Sequence, residues 1–395
     1  MKPDITQLIP WFPLRQMVEG FYPFTWQELK ENQAIIDFDN LSGNRRVQWN
    51  FDIIEEFSHV LNWSALSRNP SVRWNEHAIS QYRNYIDWTE AANNETFPWT
   101  KQMFFKYKDV MDWGKLQDVP VKLGIDDVTF LTREQRMQLA RFNKVDWSAW
   151  MIERFKDDLD WEYLARNPSI PFSEYFFTAY KDRIPFIDII SHPWLLRTEN
   201  LALLNRIEFV EGNQLSRWKE DWTMEFLVDY GDLLNWELLS ANPNLPWSEE
   251  FLLKHEDRWS WHQMSGNRNV PWTWDLIEKY EEEWNWKDDS DPYVSLQTTM
   301  STNQALPWSQ EFVDRFWHHM EFGGIKKLAE NEYSFQFGIT SNVKIDWDLD
   351  FLLKYKDLWD ADALEKNEAV YNYIKSLIPE KELLHLVKAL PEAEI

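Results

Sequence analysis

The stretch NWELLSANPNLPWSEEFLLKHEDRWSWHQMSGNRNVPWTWDLIEKYEEEWNW, residues 235–286, says nearly the same thing twice. Trp236, Trp261 and Trp286 are 25 residues apart, and so are Trp247 and Trp272. The chain carries 26 tryptophans, so the first question is whether the indoles bind something or hold the protein up.

Carried outward, the pattern resolves into two aromatic columns. The first runs Phe24, Trp49, Trp74, Trp99, Trp147, Phe172, Trp222, Trp247, Trp272, Trp308 and Trp347. The second lies 14 residues later: Phe38, Trp63, Trp88, Trp113, Trp161, Phe186, Trp236, Trp261, Trp286 and Phe322. Two units are degenerate, in residues 114–146 and 180–221. Two more are enlarged, by insertions at 287–297 (with Gln297 in the place expected for Trp286) and 323–338.

Each unit reads as two helices. The first opens with Ser or Thr after the tryptophan and then acidic residues, as in WSEEF and PFSEYF, the mark of an N-cap with a favourable helix dipole. Trp247, Phe251, Leu252, His255 and Trp259 share one face at helical spacing. The second helix opens with Asn or Asp before its aromatic, runs Trp-x-x-Leu-Ser, and stops at Asn, often Asn-Pro. No strand is needed. A pair of helices this short cannot bury two indoles alone, so the pairs must stack. The expectation is an all-α chain, an α-solenoid of about 13 helix-turn-helix repeats with a tryptophan-rich core. Residues 1–20 are read as an N-terminal cap, 21–368 as the solenoid and 369–395 as C-terminal capping helices.

The runs NWSALSRNPSVRW and NWELLSANPNLPW resemble the tryptophan-rich repeats found in proteins of large DNA viruses. The resemblance implies the helical-repeat architecture and brings no activity with it.

Composition narrows the function classes. The absence of cysteine excludes disulfide frameworks and zinc–thiolate sites, and a reducing, cytoplasmic setting is expected. A net charge of −25 repels nucleic-acid backbones and anionic lipid. No nucleic-acid or membrane contact is therefore expected; the charge leaves open a basic protein partner or mimicry of a polyanion, and it also serves to keep an aromatic-rich chain soluble. The opening MKPDITQLIPWFPLRQMVEG lacks a basic-then-apolar layout, so neither a signal peptide nor a span is expected.

Motifs for catalysis are missing: no Gly-x-Ser-x-Gly elbow, no phosphate-cradling glycine loop. His318 and His319 are adjacent and, on a helix, would point apart, a poor metal pair. Acidic runs such as Glu281–Glu283 lack a calcium-loop pattern, so no metal or other cofactor is expected. His255 stands where other units carry Tyr280 and Tyr355, which makes it a packing residue. The recurrent Asp109, Asp157, Asp182, Asp232, Asp257 and Asp357 belong to the turn between helices. The column Asn44, Asn69, Asn94, Asn167, Asn242, Asn267, Asn303 and Asn342 would form a ladder bonded to backbone groups of neighbouring turns.

In-register rings (Trp49, Trp63, Trp74, Trp88, Trp99, Trp113, Trp147, Trp161, Trp222, Trp236, Trp247, Trp261, Trp272, Trp286, Trp308 and Trp347) are then structural. Of the others, Trp259, Trp284 and Trp359 share one place in the unit and should pack too. Trp26, Trp150 and Trp274 are the candidate binding anchors, because exposed aromatics dominate interface hot spots. The expected function is a non-catalytic protein-interaction scaffold or inhibitor. One variant is an immunity-like or nucleic-acid-mimicking protein that neutralises a basic effector. The rival is an enzyme sited in the degenerate middle, with His192, Glu199, Glu208 and Glu211 as its residues.

Overall fold

The computed structural model describes residues 7–8, 10–184, 216, 222–287, 299–329, 332–336 and 338–390. Apart from one short hairpin, these form an all-α chain of repeated short helix pairs, a tryptophan-anchored solenoid. The chain gathers into two compact units, one of residues 1–48 with 236–395 and the other of residues 49–235.

Local chemistry sets the helix starts. Asn50, Asn75, Thr100, Ser148 and Ser173 each accept the backbone N–H three residues on, as do Ser248, Thr273, Ser309 and Asp348. Asn62, Asp87, Asp160, Ser260 and Asp360 do the same for second helices. Each cap is worth about 1 kcal/mol. That matters here, because helices of four to seven residues hold few internal bonds of their own.

The asparagine ladder exists and has a defined form, except that the buried Nδ2 of Asn342 meets no acceptor among the described residues. Asn94 Nδ2 donates to the carbonyls of Ser67 and Asn69 at 2.9 and 3.3 Å, and Asn267 to those of Ser240 and Asn242 at 3.3 and 3.1 Å. Meanwhile Oδ1 accepts the N–H two residues on, at Thr96 and Asn269. Asn44, Asn167, Asn303 and Asn367 repeat this. Among the described residues no non-glycine has a positive φ, so asparagine ends these helices through its side chain and not through a left-handed backbone.

The indoles work the same way. Trp63, Trp88, Trp113, Trp161 and Trp286 donate Nε1–H to the carbonyl five residues back, at the end of the preceding helix. Trp259, Trp284 and Trp359, all buried, donate to the carbonyl seven back. Helix ends leave carbonyls unbonded, and an indole offers both apolar area and one donor to meet them. The in-register rings are not uniformly buried: Trp63, Trp99, Trp161, Trp247, Trp261 and Trp272 are half-buried. Second-column rings stack on an aromatic one repeat on, as Trp88 does on Tyr107 at 5.0 Å and Trp261 on Tyr280 at 3.7 Å.

In the unit of residues 49–235, the degenerate stretch 114–146 still holds a helix pair, Ile125–Val128 and Arg133–Leu139. Phe142 supplies the carbonyl that an asparagine supplies elsewhere, accepting from Asn167 at 3.1 Å. Arg136 replaces the second-column ring and pairs with Asp158 at 2.7 Å. Most of the second degenerate stretch, 185–215 with 217–221, lies outside the described residues.

In the unit of residues 1–48 and 236–395, the ends of the chain meet. Helix Leu14–Phe21 packs on Glu368–Leu377 and Glu380–Ala389, with Phe21 against Tyr371 at 5.2 Å and Arg46 bonded to Glu368 at 2.7 Å.

Both insertions enter the same place. Ser67 and Ser265 donate Oγ–H to the carbonyl of the ring four residues back, Trp63 and Trp261. Ser301 makes that bond to Trp286 across 15 residues, and Thr340 makes it to Phe322 across 18. Trp286 therefore keeps its column, stacked on Phe316 at 5.2 Å, and the expectation that Gln297 replaces it is corrected. Gln297 itself lies outside the described residues. The second insertion also departs from an all-helical reading. Gly324–Ala329 (β1) and Glu332–Gln336 (β2) pair as an antiparallel hairpin. Its base closes where Ile339 N–H bonds Glu321 O at 3.0 Å. The repeat bonds resume on either side of it, at Phe322 and Thr340.

Candidate functional site

The three out-of-register indoles fall in different settings. Trp26 and Trp150 are exposed, at 42% and 60%, each with a base over its ring: Lys30 at 4.0 Å and Arg154 at 5.3 Å. Trp274 is half-buried and edge-on to Phe312 at 5.3 Å, so the next unit already holds it. Among the described residues no ring contact joins any two of the three.

The described surface instead has a groove in the residues quoted at the start, of about 180 Å³. It opens between the first helices of two neighbouring repeats, Glu249–Lys254 and Trp274–Lys279. Leu252, Leu253 and Leu276 make it apolar, and Tyr280, flat on Trp261, forms one wall. Glu249, Glu256 and Asp275 ring it. Lys279, the one base that lines it, is tied to Glu256 at 2.6 Å, and Tyr280 also donates its hydroxyl to Glu256. Those bonds, the lysine's first, hold the Glu256 carboxyl below its ordinary range. Burial, then the same carboxylate, pushes the Tyr280 phenol up.

Leu253, 56% exposed, was the legible signal for the groove. It is apolar, yet it falls off the face defined by Trp247, Phe251, Leu252, His255 and Trp259. His255 packs as expected, 4.9 Å from Trp236, with burial lowering its pKa.

The adjacent histidines overturn an expectation. His318 and His319 come after the last helical residue, Phe316, in a turn, so helical geometry does not separate them. Their rings lie 4.1 Å apart, and both Nε2 atoms approach Glu281 Oε1, at 3.9 and 3.1 Å. Arg315 clasps the same carboxylate, Nη1 on Oε1 at 2.9 Å and Nη2 on Oε2 at 2.6 Å. Those bonds hold the Glu281 carboxyl below its ordinary range.

The rival catalytic residues His192, Glu199, Glu208 and Glu211 lie outside the described residues. In the described degenerate stretch the charged groups are engaged separately: Asp127 with Lys101, Lys122 with Asp146, Arg136 with Asp158. Among the described residues no helix is long and apolar enough to cross a membrane.

Fold and surface together define a tryptophan-rich helical-repeat protein. Comparison with family models, with curated proteins and with solved structures finds no match.

Proposed function

We propose that this chain is a non-catalytic binding scaffold for a basic protein segment, taken up in the groove between Glu249–Lys254 and Trp274–Lys279. The observation that carries the reading is the pairing of an apolar floor with an acidic ring. Leu253 and Leu276 offer burial to one apolar side chain, while Glu249 and Asp275 flank it and are exposed. A segment with Lys or Arg beside an aliphatic residue matches both features, and the net charge of −25 would speed its encounter. The groove's own lysine does not compete, since Glu256 holds it.

The test is affinity capture from source lysate at physiological salt with the full chain, alongside Leu253→Ser and Asp275→Lys variants. The reading expects a protein with a basic segment, cross-linked next to the groove and lost from both variants. A captured protein retained equally by both variants, or cross-linked elsewhere, refutes the groove.

A further inference from the structure

The geometry points to a binding site for a borderline divalent cation, Zn²⁺ above all, formed by Glu281, His318 and His319 with Glu282 in reach. One ligand atom from each of Glu281, His318 and His319 can be chosen so that all lie within 4.8 Å of one another. Glu282 Oε1 stands 4.0 Å from His319 Nε2. Tetrahedral zinc bound at 2.0–2.1 Å sets its ligand atoms about 3.3 Å apart. The two Nε2 to Oε1 separations, 3.1 and 3.9 Å, bracket that value, so both imidazole nitrogens already stand near ligand spacing from the carboxylate. Imidazole nitrogen and carboxylate oxygen are zinc's donors where no cysteine exists, and this chain has none.

Two bases stand nearby. Lys287 Nζ lies on the His318 carbonyl at 3.3 Å, on the backbone side and not at the ring. Arg315 keeps a place when the cation takes Oε1, because its Nη2 holds Oε2 and its Nε reaches Glu278 at 3.4 Å. The carboxylates of Glu278, Glu281, Glu282 and Glu283 outnumber these bases. His319 is further fixed by stacking on Trp286 at 5.4 Å and 17°.

The placement suggests the effect. Glu281 and Glu282 follow the first helix of one repeat, and the histidines follow the first helix of the next. Bound zinc would fasten the two turns together beside Trp286, where the first insertion leaves the repeat.

The experiment is calorimetric titration of zinc chloride into the full chain at pH 7.5, with thermal unfolding in the same buffers. One site per chain is expected, weakened by at least about tenfold in each of His318→Ala, His319→Ala and Glu281→Gln. The exposed His77→Ala should bind as the unaltered chain does. Zinc should raise Tm for the unaltered chain and His77→Ala alone, since a ligand stabilises only the fold that binds it. Circular dichroism establishes that each variant is folded before titration. No saturable binding below millimolar zinc, or equal binding by the three folded variants, overturns the assignment.

Discussion

The side-chain amide of Asn267 donates to the carbonyl of Asn242, its counterpart one repeat earlier, at 3.1 Å. The same amide reaches Ser240 O at 3.3 Å, and both asparagines are buried. Asn267→Leu takes the amide donor from Ser240 O and Asn242 O, of which the latter keeps Trp247 Nε1–H at 3.0 Å, and removes the acceptor of the Asn269 N–H, at a cost of about 2–3 kcal/mol. Urea unfolding should show a lower midpoint with an unchanged slope. A midpoint equal to that of the unaltered chain would mean the ladder contributes nothing.

This ladder was legible because its units recur at a fixed spacing and its bonds run to backbone. The N-caps were legible for the same reason. Ser240 and Ser265 were half-legible: Trp-x-x-Leu-Ser was plain, but the second role of each hydroxyl was hidden. Their Oγ atoms accept the N–H of Ser260 and Asn285, 20 residues on, at 2.9 and 2.8 Å. That role depends on how repeats stack, which no single unit encodes. His318 and His319 escaped because a helix was assumed to run through them, and one more turn of helix would have parted the rings. The hairpin of 324–336 escaped because residues outside the repeat carry none of its periodicity.

Trp161 separates the two uses of an indole. Its Nε1–H bonds Lys156 O at 2.8 Å, and its ring lies tilted against Tyr180 at 5.0 Å. Trp161→Phe keeps a ring and loses the donor at a helix end, costing on the order of 1–2 kcal/mol. Trp150→Ala, at an exposed ring, should stay within about 0.5 kcal/mol. Parallel urea curves decide the point, and equal losses would contradict the division of the tryptophans into structural and surface sets.

Gly338 is required by space. Its φ of −85° suits any residue. A Cβ added there would meet Glu321 O at 2.4 Å and Gly323 N at 2.5 Å, both backbone. Gly338→Ala must therefore push the hairpin base apart and strain the bond of Ile339 N–H to Glu321 O. A loss of about 1–3 kcal/mol is expected, as for other overpacked sites. Hydrogen exchange should show Ile339 losing protection first, and unaltered protection there would refute the account.

Glu19 should give the chain a pH dependence. Where later repeats use a serine hydroxyl, this first one uses a carboxyl: Glu19 Oε1 accepts the Asp37 N–H at 3.0 Å. Burial raises the Glu19 pKa to about 7, from an ordinary 4.5, against the lowering by that bond. The folded protein thus holds its proton more tightly than the unfolded chain does. The stabilisation is complete below about pH 4.5 and is lost as pH rises through about 7. Glu19→Gln keeps an acceptor for Asp37 and never ionises, so it should be the more stable form at pH 8, by on the order of 1–3 kcal/mol. At pH 4.5 the two should nearly coincide. Urea midpoints of both proteins from pH 4.5 to 8 test this, and curves that stay parallel across the range would show that Glu19 ionises in the fold as readily as in the unfolded chain.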